Sequence, residues 1–259
     1  MNKNIPKIIF IVPYRNRKNE KIHFSIYMKY LMEDYSKEDF EIYFSTQTDV
    51  RPFNRGGVKN IGFLAIKDKY PNDYKNMTFV FNDIDTMPFK KNTFNYKTEK
   101  NKVKHFYGFK FALGGIFSIN GEDFENCLGF PNNWGWGLED NAMLDRVVNN
   151  NIKIDRSEFY DIKSKEIIHL FDTPYRLINN SDPTNYDKKL LYDNIDKIHN
   201  LKFNIENDET NFFNIIITSF DTLLPYNHDK YYSKNISIDS KLRSNFIGKI
   251  ENNRRWKMF

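Results

Sequence analysis

The sequence predicts an α/β protein whose first part is a parallel sheet with crossover helices, and three observations carry that expectation. Strand-like apolar runs alternate with helix-compatible segments across residues 7–81, in the order strand, helix, strand, helix, strand. The first run, from Lys7 to Val12, is unbroken after its lysine rather than alternating, as in a strand buried on both faces. The chain has 259 residues, 40% hydrophobic and 17% aromatic, enough for one large domain or two small ones around a substantial core.

Each element follows from its local pattern. Pro13 stops the first strand, and Lys18 to Met32 reads as a helix with Ile22, Ile26, Met28 and Leu31 on an imperfect apolar face. Phe40 to Phe44 is a second strand, Arg55 to Lys69 a second helix burying Val58, Ile61, Leu64 and Ile66, and Met77 to Phe81 a third strand. Glycines at 108, 114, 115, 121 and 129 surround a further strand and a short helix, Glu122 to Cys127. Leu138 to Asn149 is a helix with Met143, Leu144, Val147 and Val148 on one side. Phe171 to Lys188, with Pro174 and Pro183, reads as a long loop, Phe212 to Phe220 as a late strand, and Asp221 to Phe259 as a polar tail dotted with aromatics.

Composition removes several classes of function. One cysteine, Cys127, excludes an intramolecular disulfide and any Cys-based zinc site, and points to a reducing compartment or a fold that needs no staples. The +5 charge comes with abundant Lys, Asn, Ile, Phe and Tyr and three alanines, a pattern of AT-rich codons, so no nucleic-acid partner is expected. No apolar run approaches the ~20 residues of a membrane span, and none suits a signal peptide. The expectation is a cytoplasmic or otherwise soluble protein with no signal peptide and no membrane anchor.

Three constellations could carry chemistry. Asp83 and Asp85 leave the carboxyl end of the third strand, where hard oxygen ligands suit a divalent cation and a nucleotide, although acidic strand exits are also common. Trp134, Trp136, Gly137, Glu139 and Asp140 combine ring platforms with a carboxylate pair opening a helix, which suits a sugar site and equally suits helix capping. Glu166 and His169, three apart, make a metal role testable. Arg15, Arg17 and Arg55 bring cations to the same strand ends, as phosphate binding requires.

Four blocks, in order, resemble the β-1,4-galactosyltransferase family, glycosyltransferase family 7. They are Pro13-Tyr14-Arg15-Asn16-Arg17, Phe53-Asn54-Arg55 through Asn60-Ile61-Gly62-Phe63, Asp83-Ile84-Asp85 with Pro88, and Gly114-Gly115 through Gly129-Phe130-Pro131-Asn132-Asn133 to Asp140. The resemblance runs from about Ile8 to Phe220. It implies a GT-A fold, with a mixed central sheet flanked by helices, and an inverting, Mn²⁺-dependent transfer of galactose from a UDP-sugar to a glycan or glycoprotein acceptor. It places Pro13, Tyr14, Arg15, Arg17, Phe53, Arg55, Asp83, Asp85, Ala112, Gly115 and Trp136 at the donor. Trp134, Trp136, Gly137, Glu139 and Asp140 fall at the acceptor, Asp140 on the catalytic base, and Asp85, Glu166 and His169 on the metal. Leu170 to Lys188 falls on the family's flexible lid.

Three departures from the family pattern set further expectations. Glu166 stands where a methionine is usual, and a harder ligand implies better tolerance of Mg²⁺. Ala112 replaces an aromatic residue, opening room for the N-acetyl group of UDP-N-acetylgalactosamine. The Asn133-Trp134-Gly135-Trp136 segment is one residue short, which bears on the acceptor. The alternatives are a retaining polypeptide N-acetylgalactosaminyltransferase-like enzyme, against which the Asp-Ile-Asp motif argues, and a non-catalytic protein binding nucleic acid or acidic surfaces through its tail. Residues 1–220 are the expected catalytic domain. Residues 221–259 hold eight basic residues against four acidic, and an acidic partner or self-association is the role expected of them.

Overall fold

The computed structural model describes residues 5–170, 175–179 and 192–235. Its first elements are β1 (Ile8–Tyr14), α1 (Lys18–Leu31), β2 (Phe40–Gln47), α2 (Arg55–Lys69) and β3 (Thr78–Asn82). β1 lies in parallel between β2 and β3. Its alternate side chains feed two cores: Ile8, Phe10 and Val12 pack with Phe24, Met28 and Leu31 of α1, while Ile9 and Ile11 join Val58 and Ile61 of α2. Burial on both faces is the reason the run carries no alternation.

Beyond β3 the sheet stops being parallel. The elements continue as β4 (Thr86–Pro88), β5 (Lys102–Gly108), β6 (Ile116–Asn120), α3 (Gly121–Asn126), α4 (Glu139–Asn149), β7 (Lys153–Asp155), β8 (Tyr160–Asp161) and β9 (Ile167–His169). β10 (Tyr175–Asn179), β11 (His199–Glu209), β12 (Phe212–Asp221) and β13 (Tyr231–Asn235) complete the described chain. β6 runs antiparallel between β3 and β5, and β12 pairs in parallel with β2 and antiparallel with β11. The order is β11-β12-β2-β1-β3-β6-β5-β7, with β8 also beside β5. This is a mixed central sheet flanked by helices, wider than the parallel core legible in the first 81 residues. β11 escapes sequence reading because it is an edge strand, with Leu201, Phe203 and Ile205 only half-buried among exposed polar residues.

The position of α2 is fixed from its first turn. The Asn54 side chain caps the helix by accepting from Gly57 N at 2.8 Å and donates to Asn132 O at 3.0 Å. Asn60 donates to Phe130 O and Asn132 Oδ1, and a Cβ on Gly56 would sit 2.1 Å from Pro131 O. The helix therefore grips the 130–132 segment through two asparagine side chains and a close backbone approach at Gly56. Phe63, Phe79, Phe81, Phe117, Phe124 and Phe130 fill the space beneath, as tilted, stacked and edge-on pairs contributing about 0.5–1.5 kcal/mol each beyond burial.

The chain continues to pack after β12. Thr222 and Leu224 accept from Trp134 Nε1, and β13 pairs antiparallel with β10. Residues 221–235 thus lie against the body, while the remainder of the expected basic extension, 236–259, lies outside the described residues. The loop expected over Phe171 to Lys188 contains β10, and its remaining positions, 171–174 and 180–188, also lie outside them. Among the described residues no helix is long and apolar enough to cross a membrane.

Candidate active site

The carboxyl ends of β1 and β3, the first turn of α2 and the start of α4 converge on one charged cluster. The Arg55 guanidinium lies at its centre, 2.5 Å from both oxygens of Asp83, 2.6 Å from Glu139 Oε1 and 2.8 Å from Asp140 Oδ2. Lys59, one turn along α2, places its ammonium 2.8 Å from Asp140 Oδ1. The loop between β5 and β6 closes the other side: Leu113 N donates to Asp140 O, and Asp83 N donates to Gly115 O, at 2.8 and 2.9 Å. A Cβ on Gly114 would lie 2.3 Å from Asp140 Oδ2, so a glycine is required for the carboxylate to sit there.

Charge around Asp140 decides its protonation. Burial would raise its pKa, but Arg55 and Lys59 together hold it down at about 2. The three carboxylates in turn raise Arg55 well above its ordinary value against the opposing effect of burial. Glu139 is almost inaccessible and accepts from Gly137 N at 3.1 Å, so it ties down the turn before α4 as well as pairing with Arg55. His105, buried beneath Gly114, faces the carbonyls of Tyr107 and Gly114, and burial lowers its pKa to about 4.

A second group lies along the edge formed by β4 and β9. Thr86 is paired with His169, and Leu170 N donates to Asp85 O at 2.8 Å, which brings Asp85 beside His169. Arg17 donates to Asp85 Oδ2 at 2.7 Å, and Tyr107 OH lies 3.2 Å from His169 Nδ1. Burial and the neighbouring Asp83 raise the Asp85 carboxyl, while Arg17 and His169 oppose the rise. A carboxylate and an imidazole together fit a divalent cation such as Mn²⁺, whose remaining positions oxygen ligands would fill. Glu166 does not join them. Its carboxylate is exposed, in the turn before β9, and accepts from Ser164 Oγ at 2.6 Å. Among the described residues no three His, Cys, Asp or Glu side chains form a preassembled metal cluster.

The other expected residues divide. Arg15 is held by Asp49, through its carboxylate and its carbonyl, near the end of β1. Pro13 is buried in β1, Phe53 packs against the core, and the Tyr14 ring meets Phe44 edge-on. Ala112 is buried in the β5–β6 loop beside Gly114 and Gly115. Trp134 is no platform: it stacks on Phe220 at 5.5 Å with the Arg51 guanidinium over it, because its indole N–H finds partners only in the chain after β12. Trp136 is the exposed ring, and its backbone N donates to Leu177 O. Gly137 follows at φ 122° and Leu138 at φ 71°, turning the chain into α4. Lys59 was not singled out in the sequence, although a cation four residues after Arg55 shares its helix face.

Comparison with known proteins points to one family. Residues 3–98 match the model of the N-terminal region of glycosyl transferase group 7, and residues 95–171 match the model described as the N-terminal domain of galactosyltransferase. Beta-1,4-galactosyltransferase 1 of Mus musculus is 29% identical over 192 residues, covering 70% of this chain and 46% of its own. Beta-1,4-galactosyltransferase 6 of Homo sapiens is 30% identical over 209 residues, covering 75% and 52%. The chain spans about half the length of the curated relatives it matches. Among solved structures, the catalytic domain of Drosophila beta1,4galactosyltransferase 7 with xylobiose superposes with a TM-score of 0.62 at 21% identity, covering 83% of this chain and 94% of that one. A mutant of the same enzyme, solved with manganese, UDP-Gal and xylobiose, gives 0.63 at 20% identity. These two show the shared GT-A fold.

Proposed function

The chain belongs to the group 7 glycosyltransferases, the β-1,4-galactosyltransferase family, and from that premise we propose that it transfers galactose from UDP-galactose to a hydroxyl of a glycan, with inversion at the anomeric carbon. The observation that carries this reading is Asp140: a carboxylate held ionised between a partly exposed cation, Arg55, and a buried one, Lys59.

In a single displacement the acceptor oxygen forms a bond to the anomeric carbon as the bond from that carbon to the diphosphate oxygen breaks. The electron pair leaves with UDP, and the hydroxyl proton passes to Asp140. Arg55 and Arg17 are placed to take phosphate oxygens in exchange for the carboxylates they now hold. Asp85 and His169 would hold the Mn²⁺, which when bound neutralises the negative charge that grows on the leaving diphosphate. Trp136, exposed beside the start of α4, offers a face on which an acceptor sugar stacks. A retaining route would need a second carboxylate free to attack, and Glu139 is enclosed by Arg55 and Gly137 N.

Ala112 extends the reading to the donor. Its side chain, buried in the β5–β6 loop, takes less room than the aromatic ring it replaces, so UDP-N-acetylgalactosamine is proposed as a second substrate. The test is UDP release from UDP-galactose, UDP-N-acetylgalactosamine and UDP-glucose over a glycan array with Mn²⁺. Galactose transfer is expected, with N-acetylgalactosamine transfer within about tenfold of it. No release from any UDP-sugar would refute the reading, and galactose transfer without the N-acetyl donor would refute the role of Ala112 alone.

A further inference from the structure

The geometry points to Lys59 as the residue that positions the base: from the buried side it holds Oδ1 of Asp140, so that Oδ2 is the atom left to meet an acceptor hydroxyl. This rests on the reading of Asp140 as the base. The Lys59 side chain is 2% exposed against 18% for both Arg55 and Asp140. Its ammonium lies 4.4 Å from the centroid of the Phe130 ring and 2.8 Å from Asp140 Oδ1. Arg55 holds Oδ2 from the more exposed side. The two cations on one carboxylate therefore differ in access: an incoming diphosphate can draw Arg55 away, whereas Lys59 stays.

That asymmetry supplies orientation and charge together. Oδ2 packs against Gly114, in the space a side chain there would fill, and its hydrogen bond comes from Arg55, so withdrawal of Arg55 frees this oxygen and leaves its twin on Lys59. A carboxylate this enclosed would be pushed toward its protonated form once Arg55 departs, and a protonated carboxyl takes no further proton. The groups facing Asp140 are Arg55 and Lys59 from α2, Glu139 from its own helix, His105 of β5 beneath Gly114, and Asp83 through Arg55. His105 is kept neutral by burial and Arg55 is shared among three carboxylates. Among the described residues Lys59 is the cation whose salt bridge goes to Asp140 alone.

UDP-galactose hydrolysis, with water as the acceptor and Mn²⁺ present, tests the assignment in wild type, Lys59→Met, Lys59→Gln and Asp140→Asn, with UDP affinity measured by calorimetry. Both Lys59 variants are expected to bind UDP and the donor nearly as wild type does, with kcat lowered roughly tenfold or more. The ratio of variant to wild-type kcat should fall further as the pH falls, because removing the cation raises the carboxyl pKa and the base form is lost at a higher pH. Lys59→Gln keeps a donor without the charge, so it retains more rate than Lys59→Met yet shows the same pH trend. A Lys59 variant that binds UDP and keeps the wild-type kcat at every pH overturns the proposal while leaving Asp140 as the base. Loss of UDP binding in both variants makes Lys59 a structural residue and overturns it too. Wild-type hydrolysis by Asp140→Asn removes the base itself, and the role of Lys59 with it.

Discussion

Helix α2 carries a charged cluster at each end, and the two are built on opposite plans. At its C-terminal end Lys69 lies 3.2 Å from Glu41 and donates to Tyr43 OH, while the hydroxyls of Tyr43 and Tyr70 both donate to Glu41. One cation, one carboxylate and two hydroxyls satisfy one another, with the Phe213 ring beneath the ammonium. Burial first, and Glu41 second, raise both tyrosine pKa values, so these hydroxyls remain donors. At the N-terminal end two cations serve three carboxylates, and Arg55 is divided among all of them. A closed, balanced cluster has nothing to exchange; an open one with a carboxylate in excess and a shared guanidinium can release its arginine to a phosphate. The position of charge along one helix thus separates a structural cluster from the one we propose to be catalytic.

The largest test of this contrast is Arg55→Lys. An ammonium cannot span Asp83 and Asp140 as a guanidinium fork does, so UDP affinity measured by calorimetry should drop roughly 10- to 100-fold. Wild-type affinity in that variant would mean that the open cluster is as structural as the closed one. Tyr43→Phe probes the other end. It removes a hydroxyl from the Lys69–Glu41 network and should cost about 1–2 kcal/mol in urea unfolding while leaving UDP-galactose turnover unchanged. A lowered kcat would break the division between the two ends. The smallest effect is expected from Glu166→Gln, a carboxylate belonging to neither cluster. Because it is exposed and turned toward Ser164, Mn²⁺ affinity by electron paramagnetic resonance and the Mg²⁺/Mn²⁺ activity ratio should both stay as in wild type. A weakened Mn²⁺ site would return Glu166 to the ligand set that its place in the sequence suggests.

Much of the frame was legible because its causes are local. The apolar runs of β1 and β3 and the capped start of α2 are set by neighbours in sequence, and so is the acidic exit at Asp83 and Asp85. Where the sequence misled, the cause was a partner far along the chain. Trp134 reads as a sugar platform from its neighbours Gly135 and Trp136, yet it is buried by Phe220, Thr222 and Leu224, more than eighty residues later. The stretch after β12 reads as an appendage by composition, yet β13 reaches back to pair with β10.

The sequence by itself determined the family and the parallel start of the sheet, and it singled out Arg55, Asp83, Asp85, Asp140 and His169 as candidates, because motifs and periodicity are written over a few residues. The tertiary structure alone decided which oxygen of Asp140 each cation holds, that Lys59 belongs beneath it, that Glu166 turns away and that Trp134 is core. Lys59 and Asp140 are 81 positions apart, and their contact depends on α2 gripping the 130–132 segment and on a glycine at 114 leaving room. Contacts of that kind are fixed by packing between distant elements, and no pattern within either segment encodes them.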